Sequence, residues 1–263
     1  VALQGVFAQA PTAPDYDVVV YGGTAGGAIA AIAAANEGLK VALFEPRDHI
    51  GGMVTGGLGA TDFGKKQVIG GMSREFFERL GKHYDEPISW YFEPHVAEKA
   101  FRTWLSDARV KVYFQHRVES VLKKGRRIAG IRMDNGAVFT AKLFIDASYE
   151  GDLMPRAGIS YTVGREGRDE YGESLAGRIE LSPKHQFAAP VSPYDEQGNL
   201  LPLIFDGEPG EPGKADAKVQ AYNFRMCMTK NPDNRVPWPK PEGYDPARYE
   251  ILARYLKAVP DLK

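Results

Sequence analysis

Cysteine is almost absent from the chain, which holds only Cys227 among its 263 residues. A single cysteine excludes an intrachain disulfide, and it excludes a redox or zinc site of the CxxC type. Apolar residues surround Cys227 in the segment NFRMCMT. We therefore expect a buried small side chain at this position rather than a redox centre.

Long apolar runs and an excess of one charge are also missing. The longest apolar stretch, residues 28–35, is far shorter than the roughly 18 residues of a membrane span. Lysine and arginine total 33 against 34 aspartates and glutamates, and no block of like charge stands out. The sequence therefore predicts no membrane span and no nucleic-acid partner.

The first ten residues, VALQGVFAQA, resemble the tail of a signal peptide. They end in Ala8-Gln9-Ala10, an A-x-A-like cleavage site, although the charged region that opens a signal peptide is missing. Residues 1–14 are therefore predicted to be a signal-peptide remnant or a loose arm. Export to the periplasm or the cell exterior and a cytoplasmic location both stay open. The C-terminus is abrupt as well, which predicts truncation at both ends.

Glycine is plentiful, with 29 residues, and its placement is the most informative feature. Residues 16–21 (YDVVVY) predict a buried strand, residues 25–37 an alanine-rich helix and residues 40–44 (KVALF) a second buried strand. This succession of strand, helix and strand fits into about 30 residues, the size of a βαβ unit.

A glycine-rich turn joins the first strand to the helix. Gly22, Thr24 and Gly27 occupy the three positions of a G-x-G-x-x-G pattern, with Thr24 in place of the middle glycine. Gly22 permits the tight turn, Gly27 permits close helix packing, and the helix N-terminus offers free N–H groups to a pyrophosphate. Because the pattern lies within a βαβ unit, it predicts dinucleotide binding. The predicted contacts are Gly22, Gly23, Thr24, Ala25, Gly26 and Gly27.

An acidic residue, Glu45, ends the second predicted strand. A carboxylate at this place accepts hydrogen bonds from the ribose hydroxyls of an adenosine moiety. Glu45 and the following Pro46 therefore join the predicted site. The carboxylate argues against a 2′-phosphate, although Arg47 lies close by.

Further elements follow the βαβ unit. Helices are predicted over residues 73–84 and from Pro94 onward. Strands are predicted over residues 110–114, 118–122, 128–133, 137–141 and 143–146, with Asn135-Gly136 as a hairpin turn. From Gly151 onward prolines and glycines cluster and periodicity weakens. The sequence thus predicts a first domain over residues 15–150 and a partial, loop-rich substrate or cap domain over residues 151–263.

The segment EPRDHIGGMVTGGLGATDFG resembles the loop after the second strand in flavoproteins of the glutathione-reductase type. In those proteins a Gly-Gly pair lets the backbone approach the FAD pyrophosphate and flavin. The resemblance assigns this role to Gly51 and Gly52, with Met53 and Thr55 beside them. It favours FAD over NAD, because NAD dehydrogenases lack such a loop.

Two later segments resemble further FAD contacts of that fold. Val118 matches a strand-start valine whose backbone contacts the adenine. Asp146, Ala147 and Ser148, in LFIDASYEGDLM, match a later turn that contacts FAD. Over about residues 15–256 the chain resembles the FAD-dependent oxidoreductase family whose members carry GGTxxG, HxGGMxTGGLGATDFG, WYFEPHVAEK, FIDASYEGDLM and YNFRMC segments.

The resemblance implies an α/β fold. Its parts are a Rossmann-like FAD-binding domain, with a parallel sheet and an antiparallel β-meander crossover, and a partial, loop-rich α+β second domain. It also implies FAD as the cofactor and an oxidoreductase acting on a small organic substrate, with an unnamed electron donor or acceptor. Family members are often bacterial and exported. The family continues beyond this chain, so we expect the C-terminal part of the FAD domain to be missing.

The sequence singles out no catalytic acid or base and no metal site. His49 is expected to orient the flavin loop rather than to carry a covalent flavin. Glu150 and Asp152 are interpreted as helix caps, with glycosidase-like paired carboxylates as the alternative. Residues of the second domain that could meet a substrate are Arg165, His185, Tyr222 and Arg225. Three other readings stay open: a carbohydrate-active lyase or hydrolase with a vestigial nucleotide fold, a non-catalytic fragment, and an NAD-only dehydrogenase.

Overall fold

The computed structural model describes residues 13–179, 187–219 and 225–260. These residues divide into two compact units. The first comprises residues 13–161 with 225–228, and the second comprises residues 162–179, 187–219 and 229–260. The domain boundary predicted after residue 150 stays a prediction.

A mixed sheet forms the centre of the first unit. Its strands are β1 (Tyr16–Tyr21), β2 (Val41–Glu45), β3 (Lys111–Phe114), β4 (Val118–Lys124), β5 (Arg127–Met133) and β6 (Val138–Asp146). The six strands lie in the order β3-β2-β1-β6-β5-β4. Strands β3, β2, β1 and β6 pair in parallel, whereas β4, β5 and β6 pair antiparallel. The α/β fold class with its antiparallel crossover is therefore confirmed.

Strand β6 joins the parallel and antiparallel halves of the sheet. Two separate strands were expected over residues 137–141 and 143–146, and that prediction is wrong. Near its start β6 pairs with β5, and from Ala141 onward it pairs with β1. Lys142 interrupts the apolar run without interrupting the backbone, because its exposed side chain reaches Asp17 at 2.6 Å. One continuous strand thus carries the chain back to β1.

Besides the short helix α4 (Leu153–Ala157), the described part of the first unit has three longer helices: α1 (Ala25–Asn36), α2 (Gly71–Gly81) and α3 (Pro94–Asp107). Because strand residues alternate between faces, β1 contributes to two cores. Val18 and Val20 pack with the buried residues of these helices, among them Ile32 and Phe101. Val19 and Tyr21 pack on the opposite face against residues of β4 and β5. Buried alanines on α1 let the helix lie close to the sheet.

The second unit has little regular structure in its described residues. It contains two short helices, α5 (Arg168–Tyr171) and α6 (Glu250–Ala258), and isolated β-bridges. Tyr255 of α6 is buried, stacks on Phe187 and accepts a hydrogen bond from the backbone of Ala188 at 2.9 Å. Across the described parts of both units, no helix is long and apolar enough to cross a membrane.

Candidate functional site

The turn after β1 leaves no room for a side chain at Gly22 or at Gly27. Gly22 has a φ of +103°, in the left-handed region that favours glycine. A Cβ on Gly22 would lie 2.6 Å from the carbonyl carbon of Ala147 and from the backbone nitrogen of Ser148. A Cβ on Gly27 would collide with the carbonyl oxygen of Gly22. Both glycines are therefore required by close backbone contacts.

Thr24, which stands in place of the middle glycine, has a structural role of its own. It is the N-cap of α1, and its hydroxyl oxygen accepts a hydrogen bond from Gly27 N at 3.0 Å. The same hydroxyl donates to the carbonyl oxygen of Ala147 at 2.9 Å. An N-cap of this kind stabilises a helix start by about 1 kcal/mol. Threonine in place of the middle glycine therefore stabilises the turn.

The first turn of α1 carries N–H groups that the helix itself does not bond. Ala25 and Gly26 are the first two residues of the helix, so their N–H groups have no intrahelical carbonyl to bond. Gly26 is exposed, and the helix dipole adds partial positive charge at this end. Together these features make an anion-binding site of the type that holds phosphate groups.

The carboxylate of Glu45 lies against this turn. Its Oε2 accepts a hydrogen bond from Gly23 N at 2.8 Å, and its Oε1 accepts one from Arg47 N at 2.9 Å. Each carboxylate oxygen can accept a further bond, so the contacts leave capacity for ribose hydroxyls. Pro46 follows as a half-buried residue. The contact of this pair with a ribose stays a prediction.

The loop after β2 folds back onto the same turn. Gly51 N donates to the carbonyl oxygen of Gly23 at 2.7 Å. Gly51 and Gly52 have φ values of +101° and +55°, so both need the freedom of glycine. Met53 is exposed, whereas Thr55 is buried with 1% of its surface accessible. The loop therefore offers backbone and one exposed side chain next to the turn.

His49 contacts two residues that fix this loop. Its Nδ1 lies 3.0 Å from Glu98 Oε2 on α3, and its Nε2 lies 2.7 Å from Thr55 Oγ1. These contacts support the expected loop-orienting role.

The turn after β6 packs on the end of β1. Ala147 N donates to the carbonyl oxygen of Tyr21 at 2.7 Å. Asp146 Oδ1 accepts from the backbone nitrogen and the hydroxyl of Ser148 at 3.1 and 2.7 Å. The predicted FAD contacts of residues 146–148 are thus placed beside Gly22, and they stay predictions.

Asp146 also bonds the start of helix α4, a capping role that was expected of Glu150 and Asp152. Its Oδ2 accepts a hydrogen bond from Leu153 N at 2.7 Å, at the start of the short helix α4 (Leu153–Ala157). Asp152 is the N-cap residue, but its side chain makes no capping bond. The prediction that Asp152 caps this helix is therefore wrong, because the strand-end carboxylate is already in place. Asp152 Oδ1 instead lies 3.7 Å from Arg156.

Val118 lies at the start of β4, as expected, but its backbone N–H is already used. It donates to the hydroxyl of Tyr21 at 3.1 Å. Burial raises the pKa of Tyr21, although the Val118 N–H opposes that shift. Tyr21 was not singled out from the sequence, because it looks like one more apolar residue of the first strand. The contact of Val118 with an adenine stays a prediction.

Tyr149 is a second residue that the sequence did not reveal. Its hydroxyl accepts a hydrogen bond from Met53 N at 2.7 Å. A Cβ on Gly52 would collide with the same hydroxyl. Tyr149 thus links the loop after β2 to the turn after β6. Its position directly after Asp146-Ala147-Ser148 is the signal that could have pointed to it.

The sequence candidates outside these segments have plainer roles. Cys227 is exposed, so the prediction of a buried side chain is wrong; its apolar neighbours Met226 and Met228 are exposed as well.

Arg165 forms a bidentate ion pair with Asp216 within the second unit. Arg225 is exposed, and its Cβ would lie 2.8 Å from a Cβ on Gly57. His185 and Tyr222 lie outside the described residues. In the described ranges, no group of three or more His, Cys, Asp or Glu could hold a metal ion.

Four segments therefore meet at the carboxyl end of β1: the Gly22–Gly27 turn, the end of β2, the loop of residues 49–55 and the turn of residues 146–148. This is also where the close contacts of Gly22 and Gly27 leave no space for a Cβ, and where the first N–H groups of α1 have no intrahelical acceptor. This arrangement fits an extended dinucleotide whose pyrophosphate rests on α1.

Comparison with known proteins extends this result. A family model described as FAD dependent oxidoreductase matches residues 17–262. The thiamine thiazole synthases of Pyrococcus horikoshii and Pyrococcus abyssi are 31% and 30% identical over 134 residues, which is 50% of this chain and 52% of each relative. The chain thus spans about half the length of the curated relatives it matches.

Solved structures with similar folds include L-proline dehydrogenase from P. horikoshii and THI4 from Thermovibrio ammonificans. The first is 16% identical, with a TM-score of 0.44 and coverage of 57% of this chain and 58% of that one. The second is 25% identical, with a TM-score of 0.42 and coverage of 57% and 66%.

Proposed function

Since the chain belongs to the FAD dependent oxidoreductase family, we propose that it binds FAD at the carboxyl end of β1 and oxidises or reduces a small organic substrate. The observation that carries the proposal is the start of α1. There, N–H groups that have no intrahelical acceptor lie beside glycines that no other residue can replace without a collision. A pyrophosphate is the anion that this combination suits.

Different residues of the chain would bind different parts of the cofactor. The N–H groups of Ala25 and Gly26 would bind the pyrophosphate. Glu45 would accept hydrogen bonds from a ribose, and the loop of residues 51–55 would lie next to the flavin. Val118 would contact the adenine, and residues 146–148 would close the site from the other side of β1.

FAD, when bound, supplies hydride or electron transfer, which no amino-acid side chain provides. The protein then has to position the cofactor and exclude water. Most of the contacts that shape this site are made by the backbone, which is rigid enough to position the cofactor.

The visible absorption spectrum of the purified protein tests the proposal. We expect flavin bands that are released by acid and that are absent from a Gly22→Val variant. The same spectrum of a longer version continuing past Lys263 separates an incomplete site from a wrong function. Bands only in the longer version would still support FAD binding. Bands in neither, with both proteins folded, would overturn the proposal.

We also propose that the protein is bacterial and exported. Support comes from the A-x-A-like site at Ala8-Gln9-Ala10 and from the family resemblance of the sequence. Expression of the natural gene, followed by N-terminal sequencing of the periplasmic and extracellular fractions, tests it. A processed N-terminus near residue 11 is expected, and an unprocessed protein confined to the cytoplasm would contradict it.

A further inference from the structure

A chain of hydrogen bonds connects α3 to the loop that would hold the flavin. Glu98 Oε2 lies 3.0 Å from His49 Nδ1, and His49 Nε2 lies 2.7 Å from Thr55 Oγ1. Thr55 Oγ1 also lies 2.5 Å from the carbonyl oxygen of Ile50. An acid on a helix, an imidazole and a buried hydroxyl thus follow one another.

Thr55 is the end point of this chain of contacts. The carbonyl oxygens of Ile50 and Gly52 can only accept, and both lie within reach of its hydroxyl, at 2.5 and 3.3 Å. The carboxylate of Glu98 likewise accepts from His49 Nδ1. The imidazole therefore bridges the carboxylate on α3 and the hydroxyl in the loop.

The carboxylate of Glu98 is held in its charged form. Arg102 donates to its Oε1 from Nε and Nη2 at 2.9 and 2.6 Å, and Ile50 N lies 3.4 Å from the same oxygen. Partial burial raises the pKa of Glu98, but these bonds and the charge of His49 outweigh burial and bring the pKa below its ordinary value. Arg102 also donates to the carbonyl oxygen of Asp48 at 2.6 Å. Glu98 and Arg102, both on α3, are the charged groups in contact with this end of the loop.

Fixing Thr55 fixes the glycine pair. The Thr55 side chain occupies the space that a Cβ on Gly51 would need, with Oγ1 only 2.6 Å away. Gly51 in turn donates to the carbonyl oxygen of Gly23 in the turn after β1. The conformation of the loop is therefore transmitted from α3 to the cofactor-binding turn.

We propose that Glu98 is a positioning residue of the cofactor site. Through His49 it holds Thr55, and with it the Gly51–Gly52 turn, in the conformation that receives FAD. This inference rests on the proposed function, which assigns the loop to the flavin.

Four variants of the full chain test the relay, with the dissociation constant of FAD measured across a pH series by flavin fluorescence. Glu98→Ala should weaken FAD binding roughly tenfold, the loss expected for a hydrogen bond to a charged group. Glu98→Gln should recover part of the affinity, because the glutamine side chain can keep a hydrogen bond to His49. Thr55→Val should resemble Glu98→Ala, whereas Thr55→Ser keeps the hydroxyl and should lose less affinity than Thr55→Val.

Glu75→Ala on α2 is the matched control. Glu75 pairs with Arg79 at 2.8 Å with the same four-residue spacing as Glu98 and Arg102. It tests the loss of one helix ion pair without touching the loop, and FAD binding should be unchanged. One readout needs no cofactor. Amide exchange of residues 51–55 should be faster in Glu98→Ala than in Glu75→Ala.

The outcomes separate the two proposals. If the native chain binds FAD and Glu98→Ala binds it equally well, or if Glu98→Gln matches Glu98→Ala at every pH, the positioning role is wrong and the proposed function stands. If neither the native chain nor its longer version binds FAD, the proposed function falls and the positioning role falls with it.

Discussion

The two glycine-rich segments of the site reach their conformations by different means. In the turn of residues 22–27, a Cβ on either Gly22 or Gly27 would meet backbone atoms. In the loop of residues 49–57, a Cβ on Gly51 would meet the Thr55 side chain, and one on Gly52 would meet Tyr149. Backbone contacts therefore restrict Gly22 and Gly27, whereas side chains restrict Gly51 and Gly52.

The two segments should therefore differ in how well they tolerate substitution. Backbone atoms of packed strands cannot move aside, so a collision with them has no local relief. A side chain can rotate away from a collision or be replaced by a smaller one. We therefore expect the turn to be intolerant of substitution and the loop to be adjustable.

Gly22→Val should give the largest effect, a loss of FAD retention, because the branched side chain collides with the backbone of Ala147 and Ser148. Flavin absorbance per mole of purified protein measures it. Gly125→Val is the control, since Gly125 also has a positive φ of +62° but has nothing within 4 Å of its Cβ position. Normal flavin content in Gly22→Val would remove this turn from the site.

Gly52→Ala should come next, with a loss of about 1–3 kcal/mol in the free energy of unfolding, the usual cost of overpacking. The added methyl collides with Tyr149, whose side chain is more than half exposed. Adding Tyr149→Ala should restore part of the stability, as measured by urea unfolding of the two single variants and the double variant. Strictly additive losses would show that side chains do not shape this loop.

Glu45→Ala should weaken FAD binding by roughly 1–3 kcal/mol if a charged hydrogen bond to ribose is lost. Titration calorimetry measures the change. Glu78→Ala provides the comparison, because Glu78 pairs with Arg74 on the exposed side of α2. An unchanged dissociation constant for Glu45→Ala would exclude Glu45 from the cofactor site.

Tyr21→Phe should have the smallest effect, about 1 kcal/mol at neutral pH, because Val118 N loses its acceptor. Burial raises the pKa of Tyr21, so the unfolded chain releases this proton more readily than the folded chain. The free energy of unfolding should therefore fall as the pH rises past about 10, the ordinary tyrosine value. Tyr21→Phe should show a shallower fall in alkaline unfolding curves, and an equal slope would contradict this account.

Local sequence patterns were sufficient for the first βαβ unit. The apolar run of β1, the alanines of α1 and the turn glycines each act within a few residues, so they predict structure without knowledge of distant contacts. The same holds for α3, which Pro94 opens as expected, and for the hairpin at Asn135-Gly136.

The failures involve contacts between residues far apart in sequence. Residues 137–141 and 143–146 were predicted as two strands, with the charged Lys142 between them. Only the pairing of β6 with both β1 and β5 shows one strand. Cys227 was expected to be buried because its neighbours are apolar, but burial depends on what packs against a segment. Asp152 was expected to cap α4, which Asp146 does from the end of β6.

The sequence by itself determined the fold class, the family resemblance and the segments from which the cofactor site is built. Glycine spacing and strand periodicity are local properties, and close backbone approach leaves few alternatives to glycine. The tertiary structure alone decided how those segments are joined: Thr24 to Ala147, Gly51 to Gly23, Tyr149 to Met53, and Glu98 through His49 to Thr55. Such hydrogen bonds link residues that only the folded chain brings within 3 Å or so of each other, and no period or motif in the sequence encodes them.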